Sequence, residues 1–320
     1  MRGRDWTALA AGLLVALGGV SCSPNDPPGG EGRLSVATGG AGGVYQVYGG
    51  GLAELLSDEL PDTPTTAETT SASVDNLILV DERDSDVAFS LSDSAIDAVQ
   101  GQAAFSEPLD VVALARIYPN ITQVAVPADS DIERIEDLRD KTVSVGAPNS
   151  GTEVIALRLL EVAGLDPEED VGRAALGVGE SVQALRDGSI DAFFWSGGVP
   201  TGAITDLATT DDVRLLALDG YLDELRDRYG EAYEEAEVEE GDYAGVPATK
   251  TVGVPNVLMV SRQMDEDLAF RITKALFDGK QRLSDVVPAA ESLDPKLGRD
   301  LIAPLELHPG AQRYYDEAGS

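Results

Sequence analysis

Two short glycine-bearing turns hold the groups with which this chain could grip a ligand. Thr38-Gly39-Gly40-Ala41-Gly42-Gly43 follows an apolar run and opens a helical pattern, and Asn149-Ser150-Gly151-Thr152-Glu153 does the same in the second half. Glycines let backbone N–H groups approach an anion, and the first N–H groups of a helix have no partner inside it. Both turns therefore suit a small carboxylate. Capping accounts equally well for the second turn, since Ser150 or Thr152 can cap and Glu153 suits a first helical turn. The first turn is not a dinucleotide fingerprint: Ala41 and Gly42 follow Gly40, and Thr69 to Ser71 stand where an acidic residue is required. Ser90-Leu91-Ser92-Asp93 and Trp195-Ser196-Gly197-Gly198 end two further strands. Asp93 reads as a helix cap, and Trp195 as either core packing or a wall beside Tyr45 and Tyr118.

Catalysis has little to stand on. Cys22 is the sole cysteine and His308 the sole histidine, the latter in a Leu-His-Pro-Gly loop. Gly179-Glu180-Ser181-Val182-Gln183 fails a nucleophile elbow at its last position, and no Cys/His spacing suits a metal. The acidic run Glu234 to Glu240 reads as solvated surface. We assign no catalytic residue, no metal and no cofactor. A formal net charge of −34 excludes nucleic acid as a partner, because phosphate binding needs clustered cations.

The elements that position these turns alternate in type. Extended runs at Leu34 to Ala37, Thr65 to Thr70 and Asp86 to Ser90 are separated by helical patterns at Val44 to Leu60 and Val74 to Asp81. A second series has extended runs at Thr122 to Val126, Thr142 to Val145 and Asp191 to Trp195, with helices at about Gly151 to Ala163 and Ser181 to Asp187. Such alternation predicts α/β architecture on a mainly parallel sheet. Val111 to Val126, interrupted only by Pro119, and Thr249 to Val260 read as two crossovers between domains. An amphipathic helix follows, with Leu268, Ile272, Leu276 and Leu283 on one face. A chain that enters one lobe, builds another and returns makes a hinge with a cleft between the lobes. The expected division is 33–118 plus 249–320 for the first lobe and 119–248 for the second, with both turns facing the same cleft.

The N-terminus predicts a compartment. Arg2 and Arg4 precede an apolar run from Trp6 to Val20 that ends at Gly18, Gly19 and Ser21, the order of a signal peptide over 1–21. The run is shorter than the ~20 residues that span a bilayer. Cys22 sits where a bacterial lipobox places its lipidated cysteine, although Gly19 stands where leucine is usual. The segment 22–32 then reads as a flexible tether.

Several blocks together resemble the TAXI family of solute-binding proteins, the extracytoplasmic subunits of one class of TRAP transporter. They are Thr38-Gly39-Gly40 with Gly43-Val44-Tyr45, Ser73 to Leu77, Asp86-Val87-Ala88-Phe89 with Ser92-Asp93, and Asp137-Leu138-Arg139. Val143 to Glu153, Asp187-Gly188 with Asp191-Ala192-Phe193-Phe194, and Leu307-His308-Pro309-Gly310-Ala311 with Tyr314-Tyr315 complete the set. The resemblance implies a two-lobed fold like that of type II periplasmic binding proteins, anchored outside the cytoplasmic membrane. It implies capture of an organic anion such as glutamate or 2-oxoglutarate, and delivery to a TRAP-type permease by a monomeric subunit. Leu91 replaces a common glutamine and Asn149 a common glycine. Arg116 replaces a residue that is often apolar, and it is either a carboxylate clamp or a surface group. The residues expected to bind are Thr38, Gly39, Gly40, Tyr45, Ser92, Asp93, Tyr118, Asn149, Ser150, Gly151, Thr152 and Trp195. A receptor-coupled sensor shares all of these features, and an extracellular hydrolase would need a serine beside His308.

Overall fold

The computed structural model describes residues 32–319. The export signal, Cys22 and most of the tether lie outside the described residues. From Leu34 the chain alternates strand and helix: β1 (Leu34–Ala37), α1 (Val44–Glu59), β2 (Thr65–Glu68), α2 (Ser73–Glu82), β3 (Val87–Leu91) and α3 (Ser92–Gln100). β4 (Val111–Pro127) leads into β5 (Thr142–Ser144), α4 (Gly151–Val162), β6 (Gly172–Ala174), α5 (Val178–Arg186) and β7 (Ala192–Gly197). Then come α6 (Gly202–Thr210), β8 (Val213–Leu215), α7 (Leu222–Tyr229) and β9 (Glu234–Val238). β10 (Thr249–Ser261) returns the chain, which finishes with α8 (Glu266–Asp278), α9 (Lys280–Ser284), α10 (Pro295–Gly298) and α11 (Pro309–Ala318).

The strand order β2-β1-β3-β10-β4-β7-β5-β6 places two parallel triplets on either side of one long antiparallel pair. That pair, β4 with β10, is the double crossover expected from the sequence. Alternation along the strands feeds cores on both faces, as a period of two requires. Val112, Leu114, Leu258 and Val260 join α1, α8 and α11 on one face of the first triplet. Val111, Ala113, Val257 and Met259 join α2 and α3 on the other. In the second lobe Val124, Val126 and Phe194 pack with α4 and α7, and Ala125 and Phe193 with α5 and α6. Each of the Val, Leu, Met and Phe side chains among these contributes roughly 1.5–3 kcal/mol when fully buried.

The change from one lobe's core to the other's falls where Pro255 faces Pro119 across the ladder, with an irregularity in register between Pro255 and Val257. Neither proline offers an N–H, so the pair loses ladder bonds there. Pro119 does not interrupt β4; it stands exposed within it.

Two readings of the sequence are corrected, and two strands are added. The acidic run is not merely solvated surface: Glu234–Val238 is a strand paired with β10, its Val238 is buried, and Glu235 and Glu237 point to solvent. The helix read through Leu283 breaks at Gly279, where a Cβ would fall 2.4 Å from Leu55 Cδ2, so only glycine lets α1 and α8 approach this closely. β6 and β8 went unpredicted; each has three residues, too few to show a period.

Candidate functional site

A cavity of about 450 Å³ lies between the lobes. Its first wall is the turn after β1, through Gly39, Gly40, Gly43 and Val44, together with Tyr45 and the Thr70 to Ser73 segment. The second wall is the turn that starts α4, with Ser150, Gly151 and Thr152, the turn that starts α5, Gly177 to Glu180, and Trp195 to Gly197. Tyr118 and Asn120 of β4 line it where the lobes join. Helix N-termini from both lobes thus converge: α1 from the first, α4 and α5 from the second.

Local chemistry fixes these walls. Gly43 N–H donates to the Gly40 carbonyl at 3.2 Å, and Gly42 has φ +85°, a conformation glycine adopts without strain. α1 begins with no side-chain cap, whereas at α4 the Ser150 hydroxyl accepts from the Glu153 N–H at 3.1 Å. The Thr152 hydroxyl accepts from the Ser196 N–H at 3.2 Å, which ties the α4 turn to β7. At α5 the Glu180 carboxylate accepts from the Gly177 N–H at 3.1 Å. The Trp195 indole donates to the Thr201 hydroxyl at 2.8 Å, and its ring lies 3.3 Å from where a Cβ on Gly43 would be.

Beneath the cavity runs a chain of amides. The Tyr45 hydroxyl donates to Asn256 Oδ1, Asn256 Nδ2 donates to Asn120 Oδ1 at 2.8 Å, and Asn120 Nδ2 donates to the Ser196 carbonyl at 3.0 Å. Asn256 Nδ2 also donates to the Tyr118 carbonyl at 2.9 Å. This chain crosses from lobe to lobe along the hinge strands. Burial raises the hydroxyl pKa of both Tyr45 and Tyr118, so both stay protonated donors. No Lys or Arg lines the cavity among the described residues, and Glu180 is the one carboxylate that does.

The structure brings Gly39, Gly40, Tyr45, Tyr118, Ser150, Gly151, Thr152 and Trp195 together at this cavity. It does not bring four others to the wall. Thr38 is buried behind its turn, its hydroxyl donating to the Glu68 carbonyl at 2.6 Å. Ser92 is buried, with no partner for its hydroxyl among the described residues. Asp93 is also buried, facing Arg158 of α4 at 3.4 Å and accepting from the Tyr233 hydroxyl at 3.1 Å. Asn149, at φ +60°, presents its carbonyl to the Val74 and Asp75 N–H groups at 3.1 and 3.3 Å, capping α2 across the cleft. Arg116 faces inward to the protein's own Glu234, both of whose carboxylate oxygens it meets at 2.9 Å.

Sequence reading missed Asn120, Asn256, Ser73 and the Gly177 to Glu180 turn. The last carried a signal, Gly-x-Gly-Glu ahead of a helical pattern; the amides carried none, because a strand asparagine looks alike whether it faces a cleft or water. His308 is 1% exposed and outside the cavity wall. Its Nδ1 accepts from the Gly310 N–H at 3.1 Å, which leaves Nε2 to donate to the Met264 carbonyl at 3.0 Å. With one ring nitrogen capping α11 and the other held by the Met264 carbonyl, the hydrolase reading loses its base.

Known proteins place this geometry. A model of the NMT1-like family matches residues 36–319. Among solved structures, a Xanthomonas citri protein bound to ATP aligns with 89% of this chain and 98% of its own, at 15% identity and TM-score 0.54. A putative L-cystine ABC transporter from Listeria monocytogenes aligns with 82% of this chain and 98% of its own, at 13% identity and TM-score 0.53. PhnD1 from Prochlorococcus marinus, in complex with methylphosphonate, aligns with 81% and 90% respectively, at 12% identity and TM-score 0.52. The fold is α/β and two-lobed, of the type II periplasmic-binding-protein kind, with crossover strands as hinge and a ligand cleft.

Proposed function

Since the chain belongs to the NMT1-like family, we propose that it is an exported solute-binding protein that encloses a small organic anion between its lobes and delivers it to a membrane permease. The observation that carries this reading is the cavity itself, walled by helix N-termini from both lobes and joined below by the Tyr45–Asn256–Asn120–Ser196 chain. A ligand touching both walls stabilises the closed form by its differential affinity for it. The lobes, 33–118 with 249–320 and 119–248, rotate about the Pro119–Pro255 pair. Gly39, Gly40, Tyr45, Tyr118, Ser150, Gly151, Thr152 and Trp195 hold the solute. Thr38 and Asn149 position the turns. Cys22 carries the lipid that keeps the protein at the outer face of the cytoplasmic membrane, as a monomer.

The sequence blocks favour a TRAP-type permease and a carboxylate such as glutamate or 2-oxoglutarate. The Listeria neighbour, described as part of an ABC transporter, favours an ABC-type permease as a second reading. Co-purification from membranes with one permease class decides between them. Isothermal calorimetry against amino acids, monocarboxylates, dicarboxylates and phosphonates tests the capture itself: saturable one-to-one binding is expected for at least one class, and no binding to any would defeat it.

A further inference from the structure

The charges around the cavity narrow its solute further than the fold does, on the reading that this cavity is the capture site. We infer that the solute is a monoanion, one oxyanion head on an uncharged, largely apolar body, which sets aside glutamate and 2-oxoglutarate, the two-carboxylate examples that the sequence blocks suggest. Four helices long enough to present a dipole begin at the wall, α1 with 16 residues, α2 with 10, α4 with 12 and α5 with 9. Each offers roughly half a positive charge at its unpaired N–H groups. The α2 terminus is already answered by the Asn149 carbonyl. Against these stands the Glu180 carboxylate, in the first turn of α5 and on the same wall. Three partial positive ends and one full negative charge accommodate a single anionic group. A second carboxylate would be enclosed with no cation to pair it, which the low-dielectric interior penalises.

The rest of the wall agrees. Val44, Leu91, Val178 and the Trp195 ring give the cavity an apolar side that a hydrocarbon chain would fill and a second charge would not. Tyr118 supplies an independent pointer to the head group. It lines the cavity, is 3% exposed, and its buried hydroxyl has no hydrogen-bond partner among the described residues. Buried donors are rarely left unmet, and burial keeps this one protonated. An oxyanion that reached it from the cavity would answer it.

Matched six-carbon probes isolate the charge from the chain length. The full-length protein is titrated by calorimetry at pH 7.5 with hexanoate, hexane-1-sulfonate and adipate. Hexanoate or hexane-1-sulfonate is expected to bind at least tenfold more tightly than adipate, and the better of the two identifies the head group. Glu180→Gln, whose amide oxygen can still accept from Gly177, should narrow the gap by improving adipate more than hexanoate. Tyr118→Phe keeps the ring and should weaken the preferred monoanion about tenfold. Adipate binding as tightly as either monoanion overturns the inference while leaving anion capture intact. If none of the three probes binds, the inference also falls, and the broader panel then decides whether capture falls with it.

Discussion

Two of the places where the lobes meet are built from opposite electrostatics. At the cavity, backbone N–H groups and hydroxyls face inward, with no Lys or Arg in the wall among the described residues. Between α3 and α4, a full guanidinium is sealed inside: Arg158 reaches Asp97 at 2.6 Å, Asp93 at 3.4 Å and the Tyr233 hydroxyl at 2.8 Å, with the Tyr229 ring 4.6 Å from it. Its side chain is 9% exposed, and those of Asp93 and Asp97 are 0% and 9%. One junction has its charges satisfied by the protein itself, while the other surrounds a cavity with helix N-termini from both lobes. Removing a partner from the first should therefore cost stability, and changes at the second should cost affinity. The sharpest break in that contrast is Arg158→Met. It leaves two buried carboxylates without their counterion, and a loss of about 3–5 kcal/mol is expected in urea denaturation at pH 7. A loss below about 1 kcal/mol would show that the cluster opens to water and is no anchor.

The second break is at the cavity. A Cβ on Gly151 would fall 2.5 Å from Leu91 Cδ1 and 2.6 Å from Ser73 Oγ, both across the cleft. Gly151→Val should hold the lobes apart and weaken solute binding about a hundredfold, equivalent to ~2.7 kcal/mol, with stability changed by less than about 1 kcal/mol. Calorimetry paired with thermal denaturation separates the two. A variant that melts early and binds normally when folded would assign Gly151 to packing alone.

A third, smaller effect comes from Asp97, whose carboxyl burial pushes up to about 6 against the pull of Arg158, with the Asp93 charge adding to the rise. The folded form then holds a proton that the unfolded chain has released between about pH 4 and 6. Stability should consequently fall as pH rises through that window, by about 1 kcal/mol after allowance for screening. Asp97→Asn should flatten the slope over the same window. An unchanged slope would place the titration elsewhere.

Much of the fold is legible in the sequence, because periodicity reports burial. The two crossovers and the helices that follow Gly43 and Ser150 repeat at the spacing of the element each one forms. Those crossovers alone imply the two-lobed plan. What stays hidden is any partner distant in sequence. Asp93 reads as a cap, since nothing local announces that Arg158 lies opposite it. Asn149 reads as a ligand contact, while its carbonyl in fact closes α2 from the other lobe. Glu234 sits in a run of acids indistinguishable from surface until β9 pairs with β10. A sequence shows which face is buried far better than it shows what a buried charge will meet.

The smallest expected effect sharpens the comparison most directly, because it concerns a cation placed near neither extreme. Arg116 lies in β4 two residues before Tyr118 and by sequence is either a carboxylate clamp or a surface group. Its guanidinium meets both oxygens of Glu234 at 2.9 Å, and the side chains are 23% and 35% exposed. A pair held through the single nitrogen Nη2 and this accessible is screened by water and contributes about 0.5–1 kcal/mol. Arg116→Met should accordingly lower stability by no more than that, with most of the difference vanishing in about 1 M salt, and should leave solute affinity within about twofold of the parent. A tenfold loss of affinity at unchanged stability would mean that the guanidinium leaves Glu234 for the solute when the lobes close. The cavity would then recruit a cation after all, and a dianion would regain its place there.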